Sequence, residues 1–349
     1  RGQFRERPEP RLSALAQVNQ HQRLVLLGEP GSGKSTFVNF MALCLAGELV
    51  SEGQSERFPS WEGSGVGYPN LALLTAPLPI EADEDKQKPQ PWDHGALLPV
   101  RVILRDFAAR GLPPADQLAT VEHLWQFIAQ ELTEAALGDY VPHLRRHLET
   151  EGGLLLLDGL DEVPEAEARR IQMKQVVEEF ARVFPRCRVL VTSRTYAYQK
   201  QAWRLPQFAE TVLAPFTAEQ IRYFVDHWYQ HVGFLRGMHR EDVQGRAKLL
   251  QEAIFRSDRL QSFAARPLLL TLMASLHAWR GGSLPDKREE LYNDAVDLLL
   301  DWWESSKVVR DPEGRPRVQQ ESLAELLNVG KDGIRQALNR LAFQSHASQ

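Results

Sequence analysis

Cysteine is nearly missing from this chain of 349 residues: Cys44 and Cys187 are the whole complement, and both sit in apolar stretches. That scarcity argues against a disulfide framework or a thiolate zinc site, and it fits a reducing compartment. Long hydrophobic runs are lacking as well. No apolar stretch reaches the roughly 20 residues that span a bilayer, and the longest, residues 268–276, reads as a core helix. No stretch resembles a secretory signal peptide. Excess charge is small, with a formal net charge of −5, so nothing draws the chain generally to nucleic acid or to an anionic membrane. The expectation is a cytoplasmic protein with no membrane partner and no direct nucleic-acid signal. Its length is enough for two or three domains with a substantial core.

What is present begins at residue 24. The apolar run Leu24-Val25-Leu26-Leu27 leads directly into Gly28-Glu29-Pro30-Gly31-Ser32-Gly33-Lys34-Ser35-Thr36. A buried strand that delivers the chain into a glycine-rich turn and then a helix is the context a phosphate-binding loop requires. The backbone N–H groups of the turn and of the first helical turn surround the β- and γ-phosphates. Lys34 supplies a compact positive charge to those phosphates, the Ser35 hydroxyl is placed to ligate Mg²⁺, and Thr36 to donate to the α-phosphate.

Five short apolar segments, at residues 24–27, 98–104, 154–157, 188–192 and 211–213, alternate with helical patterns. This predicts a parallel five-stranded sheet flanked by helices, an α/β P-loop NTPase architecture. The run 154–157 has no apolar/polar alternation, as expected of a strand buried on both faces. Helices are expected at 121–133 and 165–183. Residues 51–97, with many glycines and prolines, the charged run 81–88 and Trp61 and Trp92, read as a long, partly disordered surface insertion. After Pro215 the sheet signal stops, and helical patterns follow at 217–231, 246–263, 267–279 and 287–306. Thr217 and Gln220 have the spacing of a capping box, and Pro267 suits a first-turn position. A break at 311–316 precedes two shorter helical patterns, 321–327 and 331–343. The expected organisation is a linker over 1–20, a nucleotide-binding core over 21–215, a helical domain over 216–310, and a further small domain beginning at 311–349. The chain opens on Arg1 and closes directly after a helical pattern, and the expectation is a central portion of something longer.

The second chemical signal is Leu154-Leu155-Leu156-Leu157-Asp158-Gly159-Leu160-Asp161-Glu162. An acid at the C-terminal end of a buried strand faces the crevice where open α/β sheets take ligands. Asp158 is expected to hold Mg²⁺, largely through water, because that ion dehydrates reluctantly. Hydrolysis needs a group to orient the attacking water, and Asp161 and Glu162 are the candidates. A helix N-terminus complemented by acids is the plainer alternative. Third, Thr192-Ser193-Arg194 closes the next apolar segment, where the Arg194 guanidinium is placed to contact the γ-phosphate or, more plainly, to pair with nearby acids. His143 and His147 share a helical face, but with no third ligand apparent they read as surface residues.

Taken together, the phosphate loop, the Asp-Gly-Leu-Asp-Glu pattern and the Thr-Ser-Arg strand resemble a NACHT domain, of the STAND class of signal-transduction ATPases. Gly159 after the metal-binding Asp158, with Asp161 and Glu162 beyond, matches that pattern. Pro215-Phe216-Thr217 resembles the entry to the family's first helical domain. Ala265-Arg266-Pro267 resembles its Gly-x-Pro adenine-contacting motif with alanine in place of glycine. Leu284-Pro285, Leu291-Tyr292 and Trp302-Trp303 resemble the bacterial branch. The resemblance implies an ATP/ADP switch that hydrolyses ATP slowly with Mg²⁺, forms a homo-oligomer when activated, and acts through an N-terminal effector and a C-terminal sensor outside this sequence, in NLR-like bacterial innate immunity against phage. It also implies that residues 311–349 begin a winged-helix domain. A continuously cycling AAA+-like motor and a scaffold merely stabilised by nucleotide are the alternatives, and the trigger is open.

Overall fold

The computed structural model describes residues 11–53, 68–78, 89–164, 169–199, 204–285, 288–304, 307–310, 316–320 and 330–347. The chain divides into two compact units, one formed by Arg1–Gln220 with Arg266–Leu268, the other by Ile221–Ala265 with Leu269–Gln349.

The first unit is built on five parallel strands: β1 (Arg23–Leu27), β2 (Pro99–Ile103), β3 (Leu154–Asp158), β4 (Arg188–Ser193) and β5 (Ala209–Val212). Their order across the sheet is β2-β3-β4-β1-β5, so the strand feeding the phosphate loop is separated from the strand ending in Asp158 by β4 alone. The five expected apolar segments are these strands, with β5 starting two residues earlier than its segment. Because side chains alternate across a strand, each strand serves two cores. Val25, Leu27, Leu155, Leu157, Val189 and Val191 face a cluster containing Phe107, Phe127 and Phe180. Leu24, Leu26, Leu154, Leu156 and Leu190 face the other, with Val38, Met41 and Leu45. All five residues of β3 are buried, as the unbroken apolar run requires.

The helices of this unit are α1 (Ala14–Gln20), α2 (Lys34–Gly53), α3 (Leu71–Leu74), α4 (Leu104–Arg110), α5 (Val121–Glu134), α6 (Val141–Thr150), α7 (Arg169–Val183) and α8 (Thr195–Gln199). The expected insertion is more structured at its ends than its composition suggests. α2 carries on to Gly53, and α3 buries Leu74 in the second core, where Trp92 and Leu97 also pack. Asn19 ties the returning segment down by hydrogen bonds to Asp93. Trp61, the run 81–88 and the first four residues of the helix expected at 165–183 lie outside the described residues.

The second unit is helical: most of α9 (Ala218–Arg236), α10 (Arg240–Phe255), α11 (Asp258–Ala264), α12 (Pro267–Trp279) from Leu269 on, α13 (Arg288–Glu304) and α14 (Lys331–Ala347). Thr217 and Gln220 form the expected capping box at the start of α9, each accepting a backbone N–H from the other at 3.0 and 3.2 Å. The single helix expected at 246–263 is two. Ser257 breaks it, because its extended backbone and its hydroxyl, which accepts the Leu260 N–H, cap a new helix. The sheet signal does not end at Pro215 either. An antiparallel hairpin of β6 (Lys307–Arg310) and β7 (Pro316–Gln320) flanks the break at 311–316. A four-residue strand is too short to show a period, which is why the pattern missed it. The helix expected at 321–327 lies outside the described residues. Inside this unit Tyr229 Oη and His277 Nδ1 share a buried hydrogen bond of 2.5 Å.

Candidate functional site

The phosphate loop leaves β1 at Leu27 and re-enters regular structure at Lys34, the first residue of α2. Gly31 and Gly33 take φ of +74° and +94°, a region where an L side chain costs about 1–2 kcal/mol. A Cβ on Gly28 would lie 2.5 Å from Ser32 Oγ, so that glycine answers to space rather than to backbone angle. Ser32 N–H donates to the Glu29 carbonyl and closes the turn that contains Pro30. The N–H groups of Lys34, Ser35 and Thr36 belong to the first turn of α2, where an α-helix provides no intrahelical acceptors. They stand at the positive end of a 20-residue helix, an arrangement suited to a phosphate. Lys34 Nζ donates to the Gly28 and Glu29 carbonyls at 2.7 and 3.2 Å. Burial lowers its pKa, opposed by Asp161 and reinforced by Arg194.

Opposite the loop stands Asp158. Leu154 and Leu156 face α2, and by period two so does Asp158. It therefore meets Ser35, whose hydroxyl donates to Oδ1 at 3.0 Å. Leu190 faces the same way on β4, and Thr192, two residues on, donates its hydroxyl to Oδ1 at 2.7 Å while accepting the Gly159 N–H at 2.8 Å. On the other side, β2 places Arg101 opposite Leu156, on the face not shared with the buried Val102, and its Nη2 reaches Asp158 Oδ2 at 3.3 Å. The carboxylate is thus buried, with both oxygens engaged.

Gly159, at φ +85°, turns the chain into a short 3₁₀ helix, Leu160–Glu162, that carries two further acids, of which Asp161 acts electrostatically on Lys34. Asp161 is gripped by Arg194, whose backbone N–H and Nε each lie 2.9 Å from one of its oxygens. Glu162 is held more loosely, 3.6 Å from Arg105, with its side chain 44 % exposed. Pro267 and Leu268 lie at the loop as well: the Leu268 N–H donates to the Gly31 carbonyl at 3.2 Å, and Pro267 is within 3.9 Å of a Cβ built on Gly33. Lys34, Ser35, Asp158, Asp161, Glu162 and Arg194 thus share one end of the sheet. His143 and His147 lie elsewhere, on α6, with His143 stacked on Tyr140.

The residues fit a magnesium nucleotide. Among the described residues no three His, Cys, Asp or Glu side chains converge. A metal here would rest on one carboxylate and one hydroxyl, completed by phosphate oxygens and water, which suits Mg²⁺ rather than a fully protein-bound ion. Three participants escaped the sequence reading. Arg101 is the lone charge inside the apolar run 98–104, and that is the signal that marks it. Thr192 was legible only as part of a polar strand end. Arg105 carried no local signal.

Residues 99–232 match the family model of the NACHT domain. The chain carries a NACHT domain. The matched stretch opens at β2 and takes in Asp158, Asp161, Glu162 and Arg194, and the phosphate loop precedes it on a strand of the same sheet. The NACHT domain with this loop and sheet is a nucleotide-binding P-loop NTPase fold. No curated protein matches the chain. Among solved structures, a replication initiator DnaA bound to AMPPCP and single-stranded DNA matches with TM-score 0.29 and 10% identity, over 82% of this chain and 74% of that one. Domain III of the Thermotoga maritima replication initiation protein DnaA matches with TM-score 0.24 and 14% identity, over 57% and 88%. At those scores neither neighbour's ligands bear on this NACHT domain.

Proposed function

We propose that this chain is the switch portion of a NACHT/STAND signalling ATPase, binding ATP or ADP with Mg²⁺ and hydrolysing ATP slowly. The observation that carries it is the 3.0 Å hydrogen bond from Ser35 to Asp158, which joins the phosphate loop to the acid at the end of β3. The loop N–H groups and Lys34 hold the phosphates, with Gly28 to Gly33 shaping the turn and Thr36 reaching the α-phosphate. Ser35 and Asp158 would hold Mg²⁺, which would supply neutralisation of the phosphate charge. Asp161 is committed to Arg194, so Glu162 is the acid that orients the attacking water. Arg194, fixed by Asp161, reads the γ-phosphate. Pro267, beside the loop, lies on the nucleotide's path.

The helical domain over 216–310 and a winged-helix domain beginning in 311–349 complete the switch. With ATP they favour a homo-oligomer that activates an N-terminal effector after a C-terminal sensor is triggered, in cytoplasmic bacterial defence against phage. The paired motifs Leu284-Pro285 and Leu291-Tyr292 support the bacterial assignment. No described helix is long and apolar enough to cross a membrane.

The test is to denature the purified protein and identify the released nucleotide by ion-exchange chromatography. Near-stoichiometric ADP is the expected result, whereas a guanine nucleotide would overturn the reading. Glu162→Gln is expected to keep ATP binding and lose turnover, and a variant that hydrolyses at the wild-type rate removes Glu162 from its role.

A further inference from the structure

Asp158 is a carboxylate with two unlike sides. Its Oδ1 accepts hydroxyl hydrogens from Ser35 and Thr192, which are neutral and fix its orientation. Its Oδ2 faces a full positive charge, Arg101 Nη2, at 3.3 Å. A guanidinium is always charged at physiological pH and less strongly hydrated than an ammonium, so it is well suited to balance a buried carboxylate. Any Mg²⁺ that Asp158 attracts shares the carboxylate with that charge. Two cations beside one carboxylate repel each other, so the Arg101 contact and Mg²⁺ binding oppose one another. Arg101 has somewhere to go: its side chain is 34% exposed while Asp158 is 7% exposed. Among the described residues β2 is an edge strand, paired with β3 alone, so the arginine stem can swing without dislodging a neighbouring strand.

We infer that Arg101 is a built-in counter-ion of the metal-holding carboxylate, one that Mg²⁺ must displace, and that it thereby sets the Mg²⁺ concentration at which the nucleotide site loads. Arg101 is a positioning residue here, because it acts through Asp158. The inference rests on the assignment of Asp158 as the magnesium carboxylate given above.

The test titrates MgCl₂ against the protein and a fluorescent N-methylanthraniloyl ATP, reading nucleotide affinity rather than turnover, for wild type, Arg101→Gln, Arg101→Met, Arg101→Lys and Asp158→Asn. Removing the charge in Arg101→Gln or Arg101→Met is expected to lower the half-saturating Mg²⁺ about five-fold, the size of one partly exposed ion pair. Arg101→Lys, which restores a cation, is expected to return within about two-fold of wild type. Asp158→Asn is expected to raise the midpoint. If Asp158→Asn raises it while the neutral Arg101 variants, folded by circular dichroism, leave it unchanged or higher, the counter-ion idea is overturned and the magnesium assignment stands. If Asp158→Asn leaves the midpoint where it was, the magnesium assignment falls and this inference falls with it.

Discussion

The phosphate loop and the acid cluster opposite it arrive at the same end of the sheet by different routes. Residues 28–36 are contiguous: Lys34 hydrogen-bonds to carbonyls five and six residues away, and two of the glycines hold backbone angles that the sequence alone announces. Asp158 instead collects Ser35 from 123 residues away, Arg101 from 57 and Thr192 from 34. A local motif stands or falls on its own residues. An assembled cluster depends on the sheet that brings its members together, so damage to it should spread differently.

The largest effect should come from the loop's charge. Lys34→Ala is expected to weaken ATP binding by about 100-fold, as when one partner of a close charge pair is truncated, measured by equilibrium titration with a fluorescent nucleotide. Asp158→Asn should leave nucleotide affinity in excess EDTA within a few-fold of wild type and weaken Mg²⁺ by about 10- to 100-fold, which separates the two halves of the site.

Gly31→Ala attacks the loop without touching the cluster. Its φ of +74° and a new Cβ 2.8 Å from that of Leu268 predict a loss of about 2 kcal/mol or more in urea unfolding. Thr192→Val is the converse, removing a donor to Asp158 and the acceptor of the Gly159 N–H, at an expected cost of about 1–2 kcal/mol. The smallest effect is one of pH. Burial lowers the Lys34 pKa below its ordinary 10.5, so between the folded and unfolded values the unfolded chain binds more protons. Stability owed to this group therefore rises with pH across that window. The urea midpoint of wild type should gain on that of Lys34→Met as pH rises toward 10.5.

The same contrast explains what was readable in advance. The loop, the capping box at Thr217 and Gln220, and the five strands were legible because each depends on local spacing or on an apolar run. Asp158 was legible from its place at the end of such a run. The grip of Arg194 on Asp161 stood in the sequence as one of two options, and only the 3₁₀ turn at Leu160–Glu162 brings it about. Arg101 was hidden because strand register, which sequence spacing does not reveal, decides which carboxylate it meets. Ser257 hides within a long apolar periodicity, since a cap changes backbone direction without changing the pattern.

The strand order has a practical side. β1 sits inside the sheet, between β4 and β5, and among the described residues β5 pairs with β1 alone. An expression fragment trimmed to residues 99–232 would keep every acid of the site yet remove that inner strand. It would strand β5 and leave β4 with a bare row of backbone donors and acceptors, a ready template for joining other chains. Any useful minimal piece of this protein therefore has to start upstream of Arg23, however complete the shorter piece looks by its motifs.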